Sequence, residues 1–435
     1  MEKLFKLKAA NTTVGVEVRA GLTTFFAMAY IVLLNPVFIS ATGMDAKGVM
    51  VATCISAAVG TLLCAFMSNK PFAMASGMGI NAFFAYTLCG TFGYSWQQAL
   101  AVTFAAGILF LIISILLGSK AITLIPDNLK HAITAGIGAF IALIGIKNSG
   151  LIDFSTGNAV IASIYSPQVL TVIAGLVITL VLTVKKVKGN LFIGMLVTVI
   201  ICLVTGQTQM PESLVSMPTA IGEVAFKLDF SVFTGAGAGF AGILSVVSVI
   251  VSMTIVDMFD TLGFLTGVSS QTKLFDEEGG DKKFGRAVMS DALGTIFGAL
   301  MGVSTVTIYA ESASGVEEGG RTGLTSVVTS VCLLLAMFFS PVVGMISSAA
   351  TAPVLMIVGA IIAMDIKNID ISSLDNALPA LIAAITIPVA YSITFGVAMG
   401  FIAHIISKVA TGKIKEINLS TWITGVIFLL YLFIK

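Results

Sequence analysis

The sequence predicts an all-α polytopic membrane protein, and three observations carry that expectation. Hydrophobic residues make up 57% of the 435-residue chain and charged residues only 10%, against about 25% charge in a soluble domain. Apolar runs of roughly 17–25 residues, long enough to cross a bilayer core as helix, recur along the whole length. The formal net charge is +1, which gives no case for a nucleic-acid partner. A β-barrel is excluded, because its spans would be short and alternating.

Fourteen spans are expected. The first seven are 18–40, 48–67, 72–90, 97–117, 125–147, 168–184 and 189–206. A more polar external linker, 207–237, follows. The second seven are 238–267, 286–302, 303–318, 322–347, 350–366, 375–390 and 391–410. Residues 411–435 form a C-terminal segment whose apolar stretch, 420–434, either spans or only packs.

The halves echo each other. "GTLLCAFM" (60–67) resembles "GTIFGALM" (294–301), and "GAFIALIGIKN" (138–148) resembles "GAIIAMDIKN" (359–368). The matches occur in the same order and in corresponding spans. Two repeats, 1–206 and 238–410, are therefore expected, and an odd number of spans per repeat makes them inverted. In transporters such repeats place the site between them near the midplane.

Charge tests the count. With the N-terminus in the cytoplasm, three of the 23 Lys and Arg residues (Lys47, Lys147 and Lys227) fall outside and Lys435 is unplaced, which leaves 19 on the cytoplasmic side. This bias satisfies the positive-inside rule. No signal peptide is expected, because "MEKLFKLKAANTTVGVEVRAG" is polar and the apolar run after it is too long. The five cysteines are scattered through apolar segments without metal-ligand spacing, and the two histidines are far apart. No cofactor is expected.

Two spans do not read as whole helices. "VSTVTI" (303–308) alternates with period two and is rich in β-branched residues, as a short strand would be. "YAESASG" then suits the start of a half-helix. In the first half, "KPFAMASGMGINAFFAYTL" (70–88) carries Pro71, Gly77 and Gly79, and a helical pattern resumes only near Ile80. Unpaired backbone is not tolerated against lipid. The two extended segments are expected to pair in the interior, with the half-helix N-termini facing one central site.

Three carboxylates fall well inside spans: Asp257, Asp260 and Glu311. Each costs about 2.5–3.5 kcal/mol at mid-bilayer on insertion scales, and no lysine or arginine lies within those spans to offset it. Asp257 and Asp260 are three apart and are expected to share a helix face. These acids read as a site for a polar solute, a proton, or both. Asn81, at the start of the first half-helix, can donate and accept at once. Asp291 reads as a helix-terminal or paired charge. Glu317 and Glu318 read as a cytoplasmic turn, and 275–286 as a solvated loop.

At "GLTTFFAMAYIVLLNP", "GMGINAFFAY", "DMFDTLGFL", "YAESASGVEEGGRTG" and "TAPVLMIVGA" the chain resembles the AzgA-like purine permeases of the nucleobase–cation symporter family, and in detail the bacterial guanine/hypoxanthine permeases. The resemblance implies a core domain of spans 1–4 and 8–11 and a gate domain of spans 5–7 and 12–14. It implies proton-coupled uptake of a purine base across the cytoplasmic membrane, guanine or hypoxanthine first and adenine next, and no enzymatic activity. Asn81, Asp257 and Glu311 would contact the base, and Asp260 would be linked to transport. The Ala310 N–H would donate to a ring carbonyl, and Phe83 or Phe84 would stack. The proton would be carried by Asp257, Asp260 or Glu311, since burial favours a protonated carboxyl. The implied partners are a purine base, a proton and the bilayer; the fold is compatible with a homodimer.

The competing expectation is an anion transporter or exchanger of the same fold. It would need a cation or bare helix N-termini at the centre, where this chain has acids. An intramembrane aspartyl protease would carry Gly-x-Gly-Asp on a span, and the "EGGD" here (278–281) is loop sequence.

Overall fold

The computed structural model describes residues 2–118, 120, 124–153, 160–234, 239–272, 274–276 and 279–434. Lys273 and part of the expected 275–286 loop lie outside the described residues. Among the described residues, nine helices are long and apolar enough to cross a membrane. They coincide with nine of the expected spans. The other five expected spans fall on Asn190–Val204, Leu374–Val389, the more polar Gly280–Met301, and the two interrupted segments. The unplaced C-terminal stretch is a helix, Leu419–Ile434, lying against Ile393–Ala410 and Gly239–Thr272. Phe401 and Phe428 meet in that contact, ring centroids 5.7 Å apart.

Helix ends follow local chemistry. Asp45 Oδ2 accepts from the Gly48 N–H at 2.6 Å, and Ser95 and Gln98 cap each other reciprocally before Trp96–Leu117, each satisfying amides that the first turn leaves open. Gly150, at φ +71°, closes Asp127–Ser149 in the left-handed region that favours glycine.

The two interrupted segments form strands, Met74–Ser76 and Val306–Ile308, paired antiparallel with Ala75 opposite Thr307. Both are wholly buried. A two-stranded sheet has two open edges, and buried open edges need partners. Thr61, on Ala46–Ser68, serves one edge: its hydroxyl accepts from the Met74 N–H at 2.8 Å and lies 3.2 Å from the Met74 carbonyl. Thr295 and Asp291, on Gly280–Met301, serve the other. Thr295 accepts from the Val306 N–H at 3.2 Å, and Asp291 accepts from the Ile308 N–H at 2.8 Å. Thr61 and Thr295 are the matched threonines of the two "GT" repeats. Gly77 is required where the strands lead into the first half-helix, since a Cβ there would lie 2.9 Å from Thr307 Cγ2.

After the strands come the short helices Met78–Ala82, continued as wider π turns through Phe83–Thr91, and Ser312–Glu317. The remaining helices pack in two groups. Val14–Met28, Tyr30–Ser40, Ala46–Ser68, Trp96–Leu117, Gly239–Thr272, Gly280–Met301 and Gly323–Ala336 pack on one another around the strands and the short helices that follow them. Asp127–Ser149, Pro167–Val184, Asn190–Val204, Ser348–Ala363, Leu374–Val389 and Ile393–Ala410 pack chiefly on one another.

Candidate functional site

A cavity of about 180 Å³ lies between the two groups, beside the strand ends. It is smaller than the roughly 300–1,000 Å³ of sites for drug-sized ligands. On one side it is walled by Tyr30, Met78 and Gly79, by Val256, Phe259, Asp260 and Phe264 of Gly239–Thr272, and by Ile308 to Glu311. On the other it is walled by Ile133, Thr134, Ile137, Leu191, Val358, Ile361 and Ile362.

Glu311 reaches the cavity because the Val306–Ile308 strand ends there and the chain turns into Ser312–Glu317. The turn is fixed by Ser312, whose hydroxyl accepts from the Ala73 N–H at 2.9 Å, and by Gly315, where a Cβ would fall 2.1 Å from Thr24 Oγ1. The Tyr30 hydroxyl donates to Glu311 Oε1 at 2.6 Å. The Tyr309 hydroxyl turns away and donates to the Ser76 carbonyl at 2.6 Å. Among the described residues no acceptor engages the Ala310 N–H. Met78 and Gly79 open a helix with no side-chain cap, so their N–H groups are also available. The cavity thus offers carboxylate acceptors and backbone donors together, and among the described residues no lysine or arginine lines it.

The sequence-expected residues separate here. Glu311, Ala310 and Asp260 line the cavity. Asp257 does not. It is 2% exposed and accepts from the Thr295 hydroxyl at 2.9 Å. The expected shared face fails because a three-residue step still rotates a helix by about 60°. That rotation puts Asp260 toward the cavity and Asp257 toward Gly280–Met301. Asn81 is also off the cavity wall; its Oδ1 accepts from the Ser76 hydroxyl at 2.7 Å and from Ser304. Phe83 and Phe84 are fully buried away from the cavity. The rings at the wall are Phe259, Phe264, Tyr30 and Tyr309 instead.

Three residues mattered more than their sequence signal suggested. Asp291 joins two elements, accepting from Thr261 as well as from Ile308. Glu17 is fully buried, and its carboxylate accepts from the Arg321 N–H at 2.9 Å and the Thr325 hydroxyl at 2.6 Å, fixing the turn before Gly323–Ala336. It lies just before the first apolar run, where an acid reads as solvated. Tyr30 carried no signal beyond being a hydroxylated ring inside a span.

The sequence matches the profile of the Permease family over residues 15–417. The chain belongs to this family. The permease is 37% identical to a guanine/hypoxanthine permease of Bacillus subtilis strain 168 over 437 residues, covering 99% of this chain and 100% of that one. It is 37% identical to an adenine permease of Escherichia coli strain K12 over 432 residues, covering 99% and 95%. The likeness to purine permeases read from the motifs is borne out, as is the reading of a transporter rather than an enzyme. In fold, the permease resembles the transmembrane domain of a cyanobacterial bicarbonate transporter. The TM-score is 0.63 at 13% identity, covering 89% of this chain and 97% of that one. At that identity the likeness concerns fold alone.

Proposed function

We propose that this permease carries purine bases inward across the cytoplasmic membrane by alternating access, coupled to protons, with its N-terminus in the cytoplasm. Guanine or hypoxanthine is the first expectation and adenine the next. The observation that carries this reading is the cavity's pairing of Glu311 and Asp260 with the open Ala310 N–H, in a chain 37% identical to guanine/hypoxanthine and adenine permeases. Guanine and hypoxanthine present a ring N–H beside a carbonyl. Glu311 accepts from the N–H and Ala310 donates to the carbonyl. Asp260 takes a second edge or the proton, and Phe259 or Phe264 covers a ring face. Two carboxylates and, among the described residues, no cation at the cavity disfavour an anion, so the fold likeness to a bicarbonate transporter carries no second reading.

The helices around the strands form the moving core, and the other group forms the gate. The gate residues at the cavity lie near the ends of their helices: Ile133 to Ile137 early in Asp127–Ser149, Leu191 at the start of Asn190–Val204, and Ile361 and Ile362 at the end of Ser348–Ala363. Lys130, Lys188 and Lys367 lie at those same ends, so the positive-inside bias makes this an inward-facing arrangement. Asp257, held off the cavity by Thr295, is assigned to the proton-linked step with Asp260. One charge entering across 100 mV gains about 2.3 kcal/mol, enough for more than tenfold accumulation of a neutral base.

The test is uptake of radiolabelled hypoxanthine, guanine and adenine in cells lacking their own purine permeases, with and without a protonophore. Saturable, protonophore-sensitive uptake is expected. No uptake from protein shown to reach the membrane would overturn the reading.

A further inference from the structure

We infer that Tyr30 is a positioning residue that sets how evenly the site accepts purines with one ring-edge donor and with two; this rests on the purine reading above. Tyr30 is 2% exposed, lines the cavity, and donates to Glu311 Oε1 at 2.6 Å. Among the described residues no other side chain is hydrogen-bonded to that carboxylate. Tyr30 lies inside the continuous helical run Val14–Ser40, one residue after Ala29. The contact therefore joins this helix to the strand-to-helix turn at Glu311.

The consequence lies in counting acceptors. A carboxylate with both oxygens free matches two adjacent donors in a fork. Guanine offers such a pair along one edge, its N1–H and its 2-amino group. Hypoxanthine offers N1–H alone. A carboxylate oxygen can accept more than one hydrogen bond, but the Tyr30 hydroxyl takes one acceptor position on Oε1 and draws charge from it. With the Ala310 N–H on the ring carbonyl, a single ring donor is served by the other oxygen, and guanine's second donor meets only the weakened one, so the two bases bind with similar strength. Without the hydroxyl, the strengthened oxygen rewards guanine only.

The experiment is equilibrium binding of radiolabelled hypoxanthine and guanine to purified full-length protein, wild type and Tyr30→Phe. The ratio of the hypoxanthine Kd to the guanine Kd is expected to rise roughly tenfold in the variant, about the worth of one hydrogen bond to a charged group. A purely structural role would weaken both bases alike. Tyr30→Met serves the same purpose if the phenylalanine variant does not reach the membrane. Tyr309→Phe, whose hydroxyl serves Ser76 rather than Glu311, is expected to leave the ratio in place. An unmoved ratio in both Tyr30 variants overturns the inference. If wild-type protein binds neither base, the purine reading itself fails.

Discussion

Gly138 and Gly359 touch each other reciprocally. A Cβ on Gly138 would lie 2.7 Å from the Gly359 carbonyl oxygen, and one on Gly359 would lie 2.6 Å from the Gly138 carbonyl oxygen. These glycines head the two peptide matches, "GAFIALIGIKN" and "GAIIAMDIKN", so the repeat-related positions face one another. Thr61 and Thr295 show the same relation at the strand edges. A contact that reads the same from either side is what a two-fold relation between the repeats would produce.

At that crossing there is no room for a side chain. Gly138→Ala would put a Cβ 2.3 Å from the Ala363 nitrogen, and Gly359→Ala would put one 2.3 Å from the Ala142 nitrogen. Backbone must move in either case, and overpacking of this kind costs about 1–3 kcal/mol. Each variant is expected to lower the thermal midpoint of purified protein. An unchanged midpoint for both would contradict the close crossing.

Thr61→Val and Thr295→Val each orphan a buried strand amide, at about 1–3 kcal/mol. Only Thr295 also donates to Asp257. Similar losses of stability are therefore expected, with a larger loss of transport for Thr295→Val. Equal transport in the two variants, at equal expression, would remove Asp257 from the cycle.

The three acids should separate by assay. Glu311→Gln and Asp260→Asn are expected to weaken base binding roughly 10- to 100-fold. Asp257→Asn is expected to bind base almost normally and yet fail to accumulate it. Normal accumulation by Asp257→Asn would refute its role in coupling.

The inward-facing assignment is open to labelling. In a background without the five native cysteines, Thr134→Cys should react with an impermeant thiol reagent applied to inside-out vesicles and resist it in right-side-out ones. Saturating base should slow the reaction. The reverse sidedness would invert the orientation.

Lys188 pairs with Glu318 in the turn that follows Ser312–Glu317, and that lysine holds the Glu318 carboxyl below its usual range. A depressed carboxyl stabilises above its unfolded pKa, about 4.3 for glutamate, and loses the effect as pH falls through the folded value. The pair is partly exposed, so its contribution is small. The midpoint difference between wild type and Glu318→Gln should be largest at neutral pH and shrink toward acid. A difference that grew on acidification would contradict the pairing.

Much of this architecture was legible in the residues. The β-branched alternation of 303–308 and the Pro71, Gly77 and Gly79 breaks gave both strands, and the cost of burying Glu311 marked the cavity. The facing of side chains was less legible. Whether Asp257 or Asp260 turns to the cavity depends on how Gly239–Thr272 is rotated against its neighbours, and one chain's periodicity carries no such angle. Phe83 and Phe84 were expected as stacking rings, but π turns and packing bury them, and rings from Gly239–Thr272 stand at the wall. Glu17 fell outside any span, and only its distant partners at 321–325 make it structural.

The cavity's two walls are chemically unequal. Both carboxylates and every backbone donor identified lie on the strand side, and among the described residues Thr134 is the sole polar side chain on the opposite wall. In the proposed cycle a guest would belong to one body and merely rest against the other. Little directional bonding would have to be broken as the two surfaces shear, so the opposite wall would work as a greased bearing. The base would ride as a passenger, kept by its carrier from loading to release, with no handover from one set of ligands to another.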